Sequence, residues 1–186
     1  VKAGLKERGK LKQGYFWPVY GDKEEVAFPF AGSRRHDEVK KILGSYAKTL
    51  VADGYEAYDR FAEQTNGLIR AQCWSHTRRN FIKAEDGNPE LVKEAIRRIR
   101  LLYGIEEQIK KKKLTGGEKL AYRAMNSRRV VAEFFSWLHE AMKRECLEPS
   151  NLFCKAASYA LERQTGLEVF LSDPEVPIDT NGLERT

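Results

Sequence analysis

Asp53 follows the apolar run Thr49-Leu-Val-Ala52 and precedes Gly54. A carboxylate at the carboxyl end of a buried strand stands where open α/β sheets gather ligands. Its hard oxygens suit a cation such as Mg2+. An Asp before Gly also stabilises a turn through its own backbone bonds, which needs no ligand. A second acid, Glu184, lies in Ile178-Asp-Thr-Asn-Gly-Leu-Glu184-Arg185. Asn181 three residues before it has the form of a helix capping box, and Asp179 is a second candidate cap. Cys73-Trp-Ser-His76 has the spacing of half a zinc site. His139, Cys146 and Cys154 form no second compact pair, so a structural zinc is not expected. A buried thiol beside a hydrogen-bonded imidazole is the alternative. Arg78 and Arg79 follow directly and either meet phosphates or face solvent. Lys93, Arg97, Arg98 and Arg100, with Lys110 to Lys113 beyond, suit a DNA backbone. Glu90, Glu94, Glu106 and Glu107 are interleaved with them, as on an ordinary solvated helix.

These side chains need elements to hold them. Gly14-Tyr-Phe-Trp-Pro-Val-Tyr20 and Val26-Ala-Phe-Pro-Phe30, around the turn-like Gly21 to Glu24, predict a hairpin. Pro18 and Pro29 confine it to an edge or to strand ends. Ser33 is a candidate cap for a helix through Asp37 to Leu43. Thr49 to Ala52 reads as a buried strand, most naturally parallel, and a helix follows from about Tyr55 to Gln64. Leu68 to Trp74 reads as another strand. Strands alternating with helices indicate an α/β sheet. From Pro89 to Asp173 the pattern turns helical, with apolar residues recurring at three and four. Ser150 or Asn151 is the expected cap of a third long helix, and Lys110 to Gly117 is expected to be a mobile loop.

The chain has 186 residues and a net charge of +6. That size allows one domain, or one with an insertion. The basic excess suits a polyanion, nucleic acid first and a membrane surface second. Three loosely spaced cysteines suggest no disulfide framework and a reducing compartment. No apolar run spans a bilayer, and the N-terminus lacks a signal peptide's apolar stretch. Neither end of the sequence looks natural, so a fragment of a longer protein is expected.

Four segments in order resemble the transposases of the insertion sequence 66 family. They are Gly14-Tyr-Phe-Trp17, Ala52-Asp-Gly-Tyr-Glu-Ala-Tyr58, Cys73-Trp-Ser-His-Thr-Arg-Arg-Asn-Phe81 and Ile178-Asp-Thr-Asn-Gly-Leu-Glu-Arg185. Leu102-Tyr-Gly-Ile-Glu106 is similar to the family's first inserted helix, and Phe170-Leu-Ser-Asp173 to its approach to the last motif. Thr180 stands where many members have Asn. The resemblance implies an α/β, ribonuclease-H-like mixed sheet with an all-helical insertion. Residues 1–82 would form the core, 83–172 the insertion and 173–186 the return to the core. It implies a DDE-type transposase in which three carboxylates hold two Mg2+ or Mn2+ ions. Asp53 would be the second catalytic and metal-holding acid and Glu184 the third. Cys73, His76 and Asn181 would support them, and Arg78, Arg79, Arg97, Arg98 and Lys111 would contact DNA. The implied partners are double-stranded transposon ends and target, with self-association of the enzyme. The implied place is a bacterial cytoplasm at the nucleoid, with no membrane. The family's first catalytic Asp precedes the Gly-Tyr-Phe-Trp strand and is not in this chain, so the chain alone is expected to be inactive. Another ribonuclease-H-like nuclease and a non-catalytic DNA-binding module are the alternatives. The whole reading requires Asp53 and Glu184 to meet at one rim of the sheet.

Overall fold

The computed structural model describes residues 2–7, 10–21, 25–145 and 151–180, with side chains from Gln13 to Arg144 and from Asn151. These residues cluster into two compact units. One comprises 2–48 and 55–69, the other 49–54 and 70–180.

The first unit begins with strands β1 (Lys2–Glu7) and β2 (Lys10–Phe16), antiparallel, with Lys2 opposite Tyr15 and Glu7 opposite Lys10. The expected hairpin is present but broken. β2 pairs with β5 (Phe30–Ala31), while β3 (Val19–Tyr20) pairs with β4 (Val26–Ala27). Pro18 and Pro29 fall in the gap between the two ladders, where no strand donor is needed. The extra strand β1, and the extension of β2 back to Lys10, were hidden by basic residues. A ladder is made by backbone groups and does not require apolar side chains. Helix α1 (His36–Leu43) follows, then α2 (Glu56–Gln64). Ser33 does not cap α1 by its side chain. Arg35 occupies the cap position, and Ser33 Oγ accepts the Arg35 N–H at 3.3 Å. Trp17, Tyr55 and Tyr58 pack edge-on or tilted, with centroids 5.9 to 6.2 Å apart, and form the aromatic centre of this unit.

The second unit holds β6 (Thr49–Ala52) and its hydrogen-bonded neighbour β7 (Ile69–Gln72). The strand expected to reach Trp74 stops two residues earlier. Cys73 is instead the N-cap residue of α3 (Trp74–Ile82). The rest is helical: α4 (Pro89–Lys111), α5 (Gly116–Glu145), α6 (Leu152–Glu162), α7 (Gln164–Glu168) and a 3-10 turn (Val169–Leu171). Asn88 and Asn151 cap α4 and α6 with their side-chain oxygens. The expected loop from Lys110 to Gly117 shrinks to residues 112–115, because α4 continues through Lys111 and Gly116 already begins α5. No helix among the described residues is long and apolar enough to cross a membrane.

Trp74 is the hub of this unit. Its ring is fully buried, meets Phe134 edge-on at 5.4 Å and donates from Nε1 to the Leu167 carbonyl at 2.9 Å. Phe81, Ile99, Leu102, Leu138, Phe153 and Phe170 close around it. The fully buried Arg123 holds Glu106 in a bidentate pair at 2.8 and 2.7 Å and donates to the carbonyls of Phe170, Asp173 and Val176. The overall class is mixed α/β and mostly helical, with small sheets.

Candidate functional site

Asp53 directly follows β6 and is half-buried. Its backbone carbonyl accepts a hydrogen bond from the Arg70 guanidinium, which also donates to the Ala71 carbonyl at 3.0 Å. Gly54 must be glycine for lack of room. A Cβ there would run into the Tyr159 ring and lie 2.8 Å from Arg163 Nε. Arg163 is stacked over the Tyr159 ring at 4.1 Å. Its Nε is buried with no hydrogen-bond partner among the described residues. The strand end is therefore roofed by α6.

Cys73 and His76 sit one helical turn apart at the start of α3, so both face the same side. Burial pushes the Cys73 thiol up. Hydrogen bonds from His76, Ser75 and Thr180 overcome this and bring it down to about 6. Ser75 Oγ lies 3.0 Å from the sulfur, Thr180 Oγ1 3.5 Å, and the Thr180 N–H donates at 3.4 Å. His76 moves the other way. Its contact with Cys73 raises it, against burial, with further help from the charges of Cys73 and Asp53. Its Nδ1 is buried and makes no bond of standard geometry to a described residue. Each shift favours the charged form of its group, with Asp53 within electrostatic reach of His76.

The start of the last motif docks here. The Trp74 N–H donates to the Ile178 carbonyl at 2.9 Å, and Thr180 rests on the Cys73 sulfur. Asp179 faces Tyr103 of α4, and the helix that it is a candidate to cap lies outside the described residues. Burial and then Asp179 raise the Tyr103 hydroxyl far above its usual range. Arg78 partly offsets that rise, as Arg79 does for His76. Both arginines are exposed on α3, within reach of this group of charges.

Other candidates are placed elsewhere or not at all. Glu184 and Asn181 lie outside the described residues, so the meeting of Asp53 with Glu184 does too. Arg97 and Arg98 both bind Glu94, at 2.7 Å, and Arg98 also stacks on Trp137. Lys111 pairs with Glu107 at 2.7 Å. Arg70, Tyr103, Tyr159 and Arg163 escaped the sequence reading. Tyr103 stood inside a quoted segment, but nothing in the spacing of the other three points to Asp53.

A family model, Transposase IS66 family, matches residues 1–186. The chain belongs to that family. Two relatives in Sinorhizobium fredii (strain NBRC 101917 / NGR234) are similar to it. Uncharacterized protein y4qI is 29% identical over 95% of this chain and 35% of its own length. Uncharacterized protein y4jD is 30% identical over 87% of this chain and 32% of its own length. The chain thus spans about a third of each relative. No solved structure matches. Membership in this transposase family agrees with the motif order from Gly14 to Arg185.

Proposed function

We propose that this chain is part of the catalytic core of a DDE-type DNA transposase with a ribonuclease-H-like sheet, cutting and joining phosphodiesters at transposon ends. One observation carries the reading. Ile178 and Thr180 are tied to Trp74 and Cys73, beside a His76 that senses Asp53. The run-in to Glu184 is therefore tethered in the same neighbourhood as the strand-end carboxylate. Family membership supplies the activity class.

In this reading Asp53 and Glu184 are the acids that hold divalent metal, Mg2+ or Mn2+. Among the described residues no group of three or more His, Cys, Asp or Glu is placed to hold an ion. Asp53 is one hard oxygen donor of the type such ions prefer. The described side chains do not make a metal site by themselves. What they do is position. Cys73 grips Thr180, His76 balances the Cys73 charge, and Arg70 fixes the Asp53 backbone. Arg78 and Arg79 are exposed cations for the phosphates of double-stranded ends and target. Arg97, Arg98 and Lys111 join them only by giving up or sharing their glutamate partners. Self-association belongs to the same proposal.

The test is plasmid nicking and strand transfer in Mg2+ or Mn2+ by the longest natural polypeptide that contains this chain. Asp53→Ala and Glu184→Ala should each cost at least about a hundredfold in rate, the scale on which preorganised electrostatics act. Full activity in either variant overturns the assignment.

A further inference from the structure

The first unit carries a concavity of about 710 Å3, and none of its lining residues belongs to the site above. Three guanidinium groups line it, those of Arg34, Arg35 and Arg60, with Tyr15, Tyr55 and His36. Two carboxylates also line it, and each is already engaged. Glu56 accepts from Arg60 Nε at 3.1 Å, and Asp37 lies 3.6 Å from His36 Nδ1. Arg34 and Arg35 are exposed and pair with no carboxylate among the described residues. Three guanidinium groups against two carboxylates leave one net positive charge in a concave wall, and Arg34 and Arg35 carry it without an ion-pair partner of their own among the described residues.

Arg34 is also held in place. Its guanidinium lies over the Tyr55 ring at 4.6 Å and near the Tyr15 ring at 5.8 Å. The Tyr55 hydroxyl donates to the Arg34 carbonyl. A stacked guanidinium spends its face on the rings and keeps its in-plane N–H groups for another acceptor. Helices α1 and α2 both start in this wall, and neither has a side-chain cap. Their first-turn amides point toward this wall, while the first-turn acids Asp37, Glu38, Glu56 and Asp59 offset the positive ends. His36 Nε2 is buried there without a hydrogen-bond partner among the described residues.

We propose that this concavity seats the phosphodiester backbone of a DNA duplex, with Arg34 and Arg35 as its phosphate contacts. The choice of DNA as the source of phosphate rests on the transposase reading. The anion preference rests on the concavity alone. The contact is to backbone, so it adds affinity without sequence preference.

The experiment is fluorescence anisotropy of a labelled duplex of arbitrary sequence with the full chain, over a range of salt. Arg34→Gln with Arg35→Gln should weaken binding roughly tenfold and lower the salt slope by about two. Arg128→Gln with Arg129→Gln removes the same charge from α5 and should change neither. Circular dichroism of both variants guards against misfolding. An unchanged affinity in the first variant, an equal loss in both, or no duplex binding by the wild type overturns the proposal. So does polyglutamate competing as well as DNA. Weakened binding in the first variant, with no nicking by any form of the protein, upholds this site while sinking the catalytic reading.

Discussion

Cys73 holds its proton less tightly in the folded chain than its ordinary value of 9.0 implies, and His76 holds its own more tightly. The contact between them contributes to both shifts, with Ser75 and Thr180 adding to that of Cys73, and the consequences for stability are opposite in pH. The Cys73 contribution is complete above about pH 9 and is lost as pH falls through about 6. The His76 contribution is complete below 6.5 and is lost as pH rises through its raised value. Above about pH 6 and below the raised His76 value each shift contributes only part of its full amount. The expected readout is thiolate absorbance near about 240 nm, taken as wild type minus Cys73→Ser. Its midpoint should lie near 6, and His76→Ala should move it upward. A midpoint that His76→Ala leaves in place would show that the imidazole does not hold the thiolate.

The end of α4 shows how an element departs from its sequence pattern. Lys113 takes a left-handed φ of 54°. The N–H of Leu114 bonds the Ile109 carbonyl at 3.1 Å and that of Lys113 the Lys110 carbonyl at 3.1 Å, the two bonds of a Schellman cap. Glycine is the usual residue at that position, and Gly116-Gly117 three residues later looks like the stop. The helix instead ends on a lysine, and Gly116 begins α5. A left-handed lysine costs about 1 kcal/mol relative to glycine. Lys113→Gly should therefore raise stability by about that amount, offset in part by the looser unfolded chain. Urea melts monitored at 222 nm will show it, and a lower midpoint would mean that the lysine side chain contributes more than its backbone costs.

At the scale of the whole molecule, the larger unit is organised around a buried charge as much as around Trp74. Arg123 joins α4 through Glu106, its own helix α5, and the stretch from Phe170 to Val176 that leads to Ile178 and Thr180. A fully buried guanidinium is tolerated only because five hydrogen bonds satisfy it. Arg123→Met leaves Glu106 and three carbonyls without that donor, and should cost roughly 3–5 kcal/mol. For a chain of this size the melting temperature should fall by about 10 °C. A drop of only a degree or two would show that the carbonyls find water. The mutation also frees the 170–176 stretch, so it should reduce any activity that depends on the Thr180 contact before the fold itself is lost.

The motifs from Gly14 to Arg185 were enough to establish the family, because their residue types and spacings are local properties of the chain. The same holds for α2, β6, the cap at Asn151 and the helical run from Pro89, where periodicity and capping chemistry act over a few residues. Other features depended on partners distant in sequence. Glu106 looked like one more surface acid until Arg123 was found to bury against it. Asp179 meets Tyr103 of α4, a partner far away in the sequence. Gly54 looked like turn chemistry, whereas the Tyr159 ring occupies the space where its side chain would go. Arg34 and Arg35 drew no notice, because an arginine pair means little until a fold lines one concavity with both and sets two tyrosine rings against the first. Local propensity is written in neighbouring residues. Burial, charge pairing and the shape of a cavity arise only when segments far apart in the chain are brought into contact.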